Sequence, residues 1–228
     1  MDQPGLPEAE VAEAYRVLRR VNRQLGNLAA MRRELRRSVA EDCAGRGRPG
    51  LSILDVGSGS GDIPAALRND LGKRGVAARV LALDRDPTAL ALATRLDLAA
   101  VRGDALRLPF ADRSVDVVTA VKFAHHFSGE ALAALVSEMA RVAARRVIVL
   151  DIRRHRLAYW GFVAWSRVFT SNRLVRFDGP LSVLRGFTSR ELVDLAAPLR
   201  AYSWAVRPYV GFQLALVGRR WESAPSLE

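Results

Sequence analysis

Two adjacent histidines, His125 and His126, follow the apolar run Val115 to Val121. A neutral imidazole at the end of a buried strand can take a proton from a hydroxyl near neutral pH. Such a base works best when a third group orients it, and Asp151 directly follows the next apolar run, Arg146 to Leu150. In a parallel sheet those two strand ends are neighbours. The competing readings are a packed or capping histidine, with either ring left as the base, and an ordinary ion pair of Asp151 with Arg153 or Arg154. Adjacent histidines without a third ligand make a poor metal site, so no metal is expected.

A second chemistry-bearing stretch lies upstream. In LSILDVGSGSGDIP, residues 51–64, an apolar run enters Gly57, Gly59 and Gly61 at alternate positions and then a helix. Glycines there let the backbone turn tightly and approach a ligand where a Cβ would clash. A dinucleotide fingerprint needs its last glycine at position 62, where this chain has Asp62, and a carboxylate is unwelcome beside a pyrophosphate. The turn therefore suits a cationic or zwitterionic nucleoside. Asp84 closes the next apolar run and can accept from both hydroxyls of a ribose. Capping the helix that starts at Pro87 is its alternative role, for which Asp86 is better placed. Asp104 follows a third short strand and reads either as a ligand acceptor or as an Asx-turn. Asp55 orders the glycine turn or reaches the ligand, while Asp116 reads as structural.

The elements that must position these groups alternate. Strands are expected at Leu51–Val56, Arg79–Leu83, Ala99–Arg102, Val115–Val121 and Arg146–Leu150, with helices at Asp62–Arg74, Pro87–Leu96 and Gly129–Ala143. Repetition of that length implies an α/β fold, a Rossmann-like, doubly wound, mostly parallel sheet, and ligands bind beyond the carboxyl ends of such strands. Two final strands, Tyr202–Val206 and Gly211–Gly218, add an antiparallel hairpin, with Arg207-Pro208 read as its turn, to make seven strands. One domain is expected: an N-terminal helical extension over 1–48, broken at Gly26-Asn27, a core over 51–150, an insertion over 155–190, and a closing helix and strands over 191–220. GRGRPG at 45–50 reads as a linker and Leu227-Glu228 as a cloning remnant.

Asp55-Val-Gly-Ser-Gly-Ser-Gly61, then Gly103-Asp104-Ala105, then Leu108-Pro-Phe110 and Asp112-x-Ser-x-Asp116, resembles in order the motifs of class I S-adenosylmethionine-dependent methyltransferases over residues 51–150. The resemblance implies S-adenosyl-L-methionine as cofactor. It implies contacts from Asp55, Gly57, Ser58, Gly59, Gly61, Asp84, Arg85, Asp104, Ala105, Val121 and Lys122, with Asp104 accepting from the adenine amino group. Methyl transfer from a sulfonium needs chiefly an in-line arrangement, which a rigid site supplies.

A finer resemblance rests on Asn22-Arg23-x-Leu-Gly26, on His125-His126 and on Phe177-Asp-Gly-Pro-Leu-Ser-Val-Leu-Arg185. It is to bacterial small-molecule methyltransferases related to the quinone-biosynthesis type and associated with type III polyketide synthases, hence with secondary metabolism. Quinone C-methyltransferases proper carry an asparagine-containing loop where this chain has the two histidines. The resemblance thus implies O-methylation of a small hydrophobic phenolic, polyketide or quinone-like acceptor, with His125 or His126 as base and Asp151 as its partner.

The insertion carries Tyr159, Trp160, Phe162, Trp165 and Phe169, too many aromatics for one narrow stripe. Such a helix is buried, or faces an apolar ligand or a lipid surface. It reads as a cap, with Tyr159, Trp160 and Arg185 as substrate contacts and the N-terminal helices as a second wall; ordinary packing on the sheet is the alternative. Thr188 or Ser189 starts the helix that follows, with Glu191 in its first turn.

The formal charge of +11 would suit nucleic acid or an anionic membrane. Lys73 and Lys122 are the only lysines, however, so 33 of the 35 basic residues are arginine, the bias of a GC-rich genome. The densest group, Arg32, Arg33, Arg36 and Arg37, has helical spacing and reads as a solvated face. No DNA partner is expected, and RNA is disfavoured by the lack of an appended RNA-binding module, of an Asn-Pro-Pro-Tyr-type loop after the fourth strand and of a catalytic cysteine pattern. A cofactor-binding accessory protein without turnover is the remaining rival. The acidic, polar start, MDQPGLPEAE, and the absence of a long apolar run predict a cytoplasmic protein, and the lone Cys43 reads as an inert helix-end residue.

Overall fold

The computed structural model describes residues 8–43 and 50–221. The expectations for the N-terminal residues before Glu8, for positions 45–49 of the linker and for Leu227-Glu228 lie outside the described residues.

Two helices, α1 (Glu8–Gln24) and α2 (Asn27–Cys43), break at Gly26 as expected, and Gly26 takes φ +79°. Then follow β1 (Leu51–Val56), α3 (Asp62–Gly72), β2 (Ala78–Asp84), α4 (Pro87–Thr94), β3 (Ala99–Arg102) and β4 (Val115–Val121). After a single 3₁₀ turn at Ala124–His126 come α5 (Gly129–Val142), β5 (Ala143–Ile152), α6 (Arg156–Phe169), α7 (Arg173–Leu184), α8 (Ser189–Ala196), β6 (Tyr202–Tyr209) and β7 (Gln213–Arg220).

The seven strands form one sheet in the order β3-β2-β1-β4-β5-β7-β6. All pairs from β3 to β5 are parallel, and β5-β7 and β6-β7 are antiparallel. The chain winds outward from β1 in one direction and then returns to β4, so the β1/β4 boundary is the switch point where a crevice opens beyond the carboxyl ends.

Alternation along β1 divides the core. Ile53 packs with Met31 and Leu35 of α2 and Ile63 and Leu67 of α3 on one face, whereas Leu54 and Val56 pack with Leu135 and Met139 of α5 and Leu192 of α8 on the other. Each fully buried side chain of this size contributes about 1.5–3 kcal/mol. Asp116 locks the opposite end of the switch point, accepting from the Ser52 amide at 3.0 Å and hydroxyl at 2.6 Å, and it is structural as read.

Several boundaries move. Helix α3 stops at Gly72 and α4 at Thr94, while β5 is longer than the apolar run that marks it. Arg207-Pro208 is not a turn: both residues lie in β6, paired with Ala215 and Leu214, and the chain reverses at Val210–Phe212. Proline is accepted there because β6 is the edge strand, where one face of the ladder has no partner to receive an N–H. The arginines of α2 are not a uniformly solvated face either. Arg37 reaches buried Glu34 at 3.4 Å, and Arg207 of β6 meets the same carboxylate at 2.5 Å.

Candidate active site

The glycine turn sits at the carboxyl end of β1 and is tied to β2. The amides of Gly57 and Ser58 both donate to the Leu83 carbonyl, at 2.9 and 3.0 Å, and the Gly59 amide donates to Asp84 Oδ2 at 2.8 Å. Asp84 Oδ1 accepts from the Asp86 amide at 3.0 Å, and Asp86 caps α4 through the Thr88 amide at 2.9 Å, which settles which of the two aspartates is the cap. The glycines are required on steric grounds. A Cβ on Gly57 would lie 2.2 Å from the Phe123 ring, and one on Gly61 would lie 2.8 Å from both Ala93 Cβ and Leu98 Cδ1.

Three aspartates surround the turn. Asp55 is buried and accepts from the Thr119 hydroxyl at 2.6 Å. Burial pushes its carboxyl up to about 7, the Thr119 hydrogen bond acts against this, and the charges of Asp62 and Asp84 add to the rise. Asp62 opens α3, where its charge suits the helix dipole, and holds the Ser60 hydroxyl at 3.0 Å and the Asn22 amide at 3.1 Å. A phosphate would meet repulsion here, and a cation would meet attraction. Ser58 Oγ is buried in this turn with no partner among the described residues.

At the third strand end Asp104 is exposed, and its Oδ1 accepts from the Leu106 amide at 2.9 Å, so the Asx-turn is present. Ala105 beside it is buried. The loop that follows is pinned from α5: Glu138 accepts from the Leu108 amide at 2.9 Å, and Arg141 donates to the Leu108 and Phe110 carbonyls at 3.1 and 2.9 Å. Arg85 is exposed just beyond β2, and its carbonyl accepts from Arg102 Nε at 3.3 Å.

Beyond β4, Val121 is buried and Lys122 takes φ +55°, a left-handed conformation that a non-glycine residue adopts at a cost of order 1–3 kcal/mol. The strained residue reverses the chain so that His125 turns back toward β5. Burial pushes the Lys122 amine down to about 8, partly countered by Asp151. His125 Nδ1 lies 2.8 Å from Asp151 Oδ1, and the His125 amide donates to Asp151 Oδ2 at 3.1 Å. The Ile152 amide adds a third bond to Asp151, at 2.7 Å. Burial alone would raise the Asp151 carboxyl, but the charge and hydrogen bond of His125, the Lys122 ammonium and the Ile152 amide together hold it below the usual carboxylate range. An ionised Asp151 accepts only, so His125 Nδ1 carries a proton, and in the neutral form of the ring the Nε2 lone pair is the one left for chemistry. His126 is exposed, its ring 4.4 Å from that of His125. The alternative partner of Asp151, Arg154, goes instead to Glu191 at 2.5 Å.

Helix α1 roofs this end of the sheet, contributing two residues that the reading for chemistry passed over. Tyr15 lies against Gly59, where a Cβ would come within 3.2 Å of its ring, and Asn22 reaches Asp62. Tyr15 was concealed in the apolar period of α1, whereas Asn22 was visible as a polar residue next to a helix break. Thr119 and Phe123 were also passed over, although Thr119 lies opposite Asp55 in the β1-β4 register.

Helix α6 is not a buried helix: Ala158 and Ser166 are its only buried side chains among the described residues, and it packs against α7, with Phe162 filling the space left by Gly179. Tyr159 and Trp160 line a groove of about 510 Å³ with Arg154, His155, Val183 and Leu184. Arg185 does not line it and faces solvent after capping α7. Among the described residues, no group of three His, Cys, Asp or Glu side chains could hold a metal ion, and no helix is long and apolar enough to cross a membrane.

A doubly wound sheet with a glycine turn and acidic residues at successive strand ends defines an α/β fold whose crevice lies beyond the carboxyl ends of the strands. The family described as "Methyltransferase domain" matches residues 54–150. A demethylmenaquinone methyltransferase of Beutenbergia cavernae is 42% identical over 95 residues, which cover 42% of this chain and 37% of that protein. The chain thus spans little more than a third of that relative. Among solved structures, a magnesium protoporphyrin IX methyltransferase of Synechocystis PCC 6803 with bound S-adenosylmethionine is similar at TM-score 0.58 and 14% identity, over 96% of this chain and all of that one. An S-adenosylmethionine-dependent methyltransferase of Aquifex aeolicus is similar at TM-score 0.55 and 17% identity, over 76% of this chain and 84% of that one. Residues 54–150 thus match a methyltransferase-domain family, and the sheet has the fold of S-adenosylmethionine-dependent methyltransferases.

Proposed function

We propose that the protein transfers a methyl group from S-adenosylmethionine to a hydroxyl of a small hydrophobic acceptor of phenolic, polyketide or quinone-like type. The observation that carries this reading is the buried His125–Asp151 pair beside the glycine turn. Bound there, the cofactor supplies an electrophilic methyl group on a sulfonium.

The residues present suit that cofactor. Asp84 is assigned the ribose hydroxyls, each carboxylate oxygen retaining a lone pair after its backbone bond, and Asp104 retains Oδ2 for the adenine amino group. Asp55 and the Ser58 hydroxyl, unpartnered among the described residues, are assigned its amino-acid end, where a carboxylate favours both the ammonium and the sulfonium. Gly57, Gly59 and Gly61 give the close approach, and Arg85, Ala105, Val121 and Lys122 border the same strand ends.

His125 Nε2 takes the proton of the acceptor hydroxyl, and Asp151 stabilises the imidazolium that results, a contribution of about 10² to 10⁴ in rate. His126 shields the base from the solvent side. Tyr159 and Trp160, whose groove is largely apolar in lining, are assigned to the acceptor. The name of the Beutenbergia relative, which specifies a quinone-type acceptor, supports an aromatic substrate of this class.

The test is incubation of the protein with methyl-labelled S-adenosylmethionine and a panel of phenols, quinols and polyketide aromatics. Label on an acceptor oxygen supports the reading. Label on carbon would move the chemistry to C-methylation, and label only on RNA, with strongly salt-dependent binding, would overturn it.

A further inference from the structure

Helix α6 presents an apolar stripe to solvent. Leu157, Trp160, Gly161, Ala164 and Val168 fall at helical spacings of three and four and are all exposed. The opposite side of the helix is already satisfied, since Phe162 seats on Gly179 of α7. At the tip of the α6-α7 hairpin Val168 is 74% exposed, Phe169 52% and Phe177 70%. Of the ten exposed large hydrophobic residues among those described, six lie on these two helices. Patches of this kind on a protein surface mark a partner or a membrane.

The charge around the stripe identifies which. Residues 153–190 hold eight arginines and one acidic residue, Asp178. Arg167 and Arg173 flank the tip and are exposed, as is Arg156 at the start of α6. Trp160 is exposed on the same face, about two turns before Val168, and arginines with an aromatic beside an apolar helical face are the composition of a helix that lies in a lipid headgroup layer.

We propose that the α6-α7 hairpin docks on an anionic phospholipid surface, with Val168, Phe169 and Phe177 entering the acyl boundary and Arg167 and Arg173 meeting the headgroups. The groove of Tyr159 and Trp160 lies at the base of the same hairpin, between the start of α6 and the end of α7. The proposal does not depend on which acceptor is methylated, because its readout is binding.

The test is sedimentation with vesicles of phosphatidylcholine alone and of phosphatidylcholine doped with phosphatidylglycerol, using the full chain. The protein should bind the anionic vesicles, weakly or not at all the neutral ones, and rising salt should release it. Val168→Ser/Phe177→Ser should lower the partition by roughly tenfold or more, and Arg167→Gln/Arg173→Gln should reduce the salt dependence, with S-adenosylhomocysteine affinity intact in both variants. Failure to bind phosphatidylglycerol vesicles would overturn the proposal, as would undiminished binding by the apolar variant. A dimer in light scattering that Val168→Ser/Phe177→Ser converts to monomer would assign the face to a second copy of the chain instead.

Discussion

The hydroxyl of Tyr15 donates to Oδ2 of Asp86 across 3.1 Å, joining the first helix of the chain to the residue that caps α4, two positions after the proposed ribose ligand. Together with the Asn22–Asp62 bond, this contact holds α1 over the glycine turn at two points seven residues apart on the helix. The roof is therefore fastened beside residues assigned to the cofactor, to Asp62 next to Gly61 and to Asp86 two positions after Asp84.

Tyr15→Phe keeps the ring against Gly59 and removes only the hydrogen bond. A hydrogen bond to a carboxylate contributes about 1.5–3 kcal/mol, so S-adenosylhomocysteine should dissociate up to about 10- to 150-fold faster in stopped-flow measurements. An unchanged dissociation rate would show that α1 does not close the site.

Asp84→Asn keeps an acceptor for only one of the two amides that Asp84 holds, those of Gly59 and Asp86, and loses the charge offered to the ribose. Hydrogen bonds to a charged group contribute about 1.5–3 kcal/mol, so calorimetry should show S-adenosylhomocysteine binding weakened about 10- to 150-fold. Equal affinity would remove Asp84 from the ribose site.

Asp55 makes stability depend on pH. Its carboxyl titrates at about 7 in the folded protein against 3.8 for the free group, so between these values the folded state holds the extra proton. Stability then falls as pH rises from about 4 to 7, by at most on the order of 4 kcal/mol. Asp55→Asn can still accept from Thr119 and has no charge to bury. Its advantage over wild type in urea unfolding should grow across that window and level off above pH 7. A difference that is the same at every pH would refute a buried, raised carboxyl.

Gly61→Ala meets two obstacles, φ +73° and a Cβ 2.8 Å from both Ala93 and Leu98. Gly75 has nearly the same φ, +74°, with nothing within 4 Å, so Gly75→Ala isolates the backbone term. The Gly75 change should cost about 1–2 kcal/mol, and the Gly61 change about 1–3 kcal/mol more. Equal costs would mean that α3 and α4 can separate without penalty.

Much of this organisation was legible in the sequence because the signals were local. Apolar runs of four to seven residues leading to Gly57, Asp84, Arg102, Val121 and Asp151 marked the strand ends, and in a parallel sheet ligands bind beyond the strand ends. The pairing of His125 with Asp151 followed from strand adjacency alone. What stayed hidden depends on packing between distant segments. Arg207-Pro208 has the composition of a turn, and only the edge position of β6 explains how it continues a strand. The aromatics of α6 identify an unusual helix, but which of them meet α7 and which meet solvent is decided by Gly179, a residue with no side chain to announce a contact.

The central claim is that His125, oriented by Asp151, takes the acceptor proton at a site where S-adenosylmethionine is bound. Its most direct test is single-turnover transfer from methyl-labelled S-adenosylmethionine to a phenolic acceptor by wild type and His125→Gln, with S-adenosylhomocysteine affinity measured on the same samples. The account predicts labelled O-methyl product from wild type and a rate about 10² to 10⁴ lower in the variant at equal cofactor affinity. Full-rate transfer by His125→Gln would contradict it.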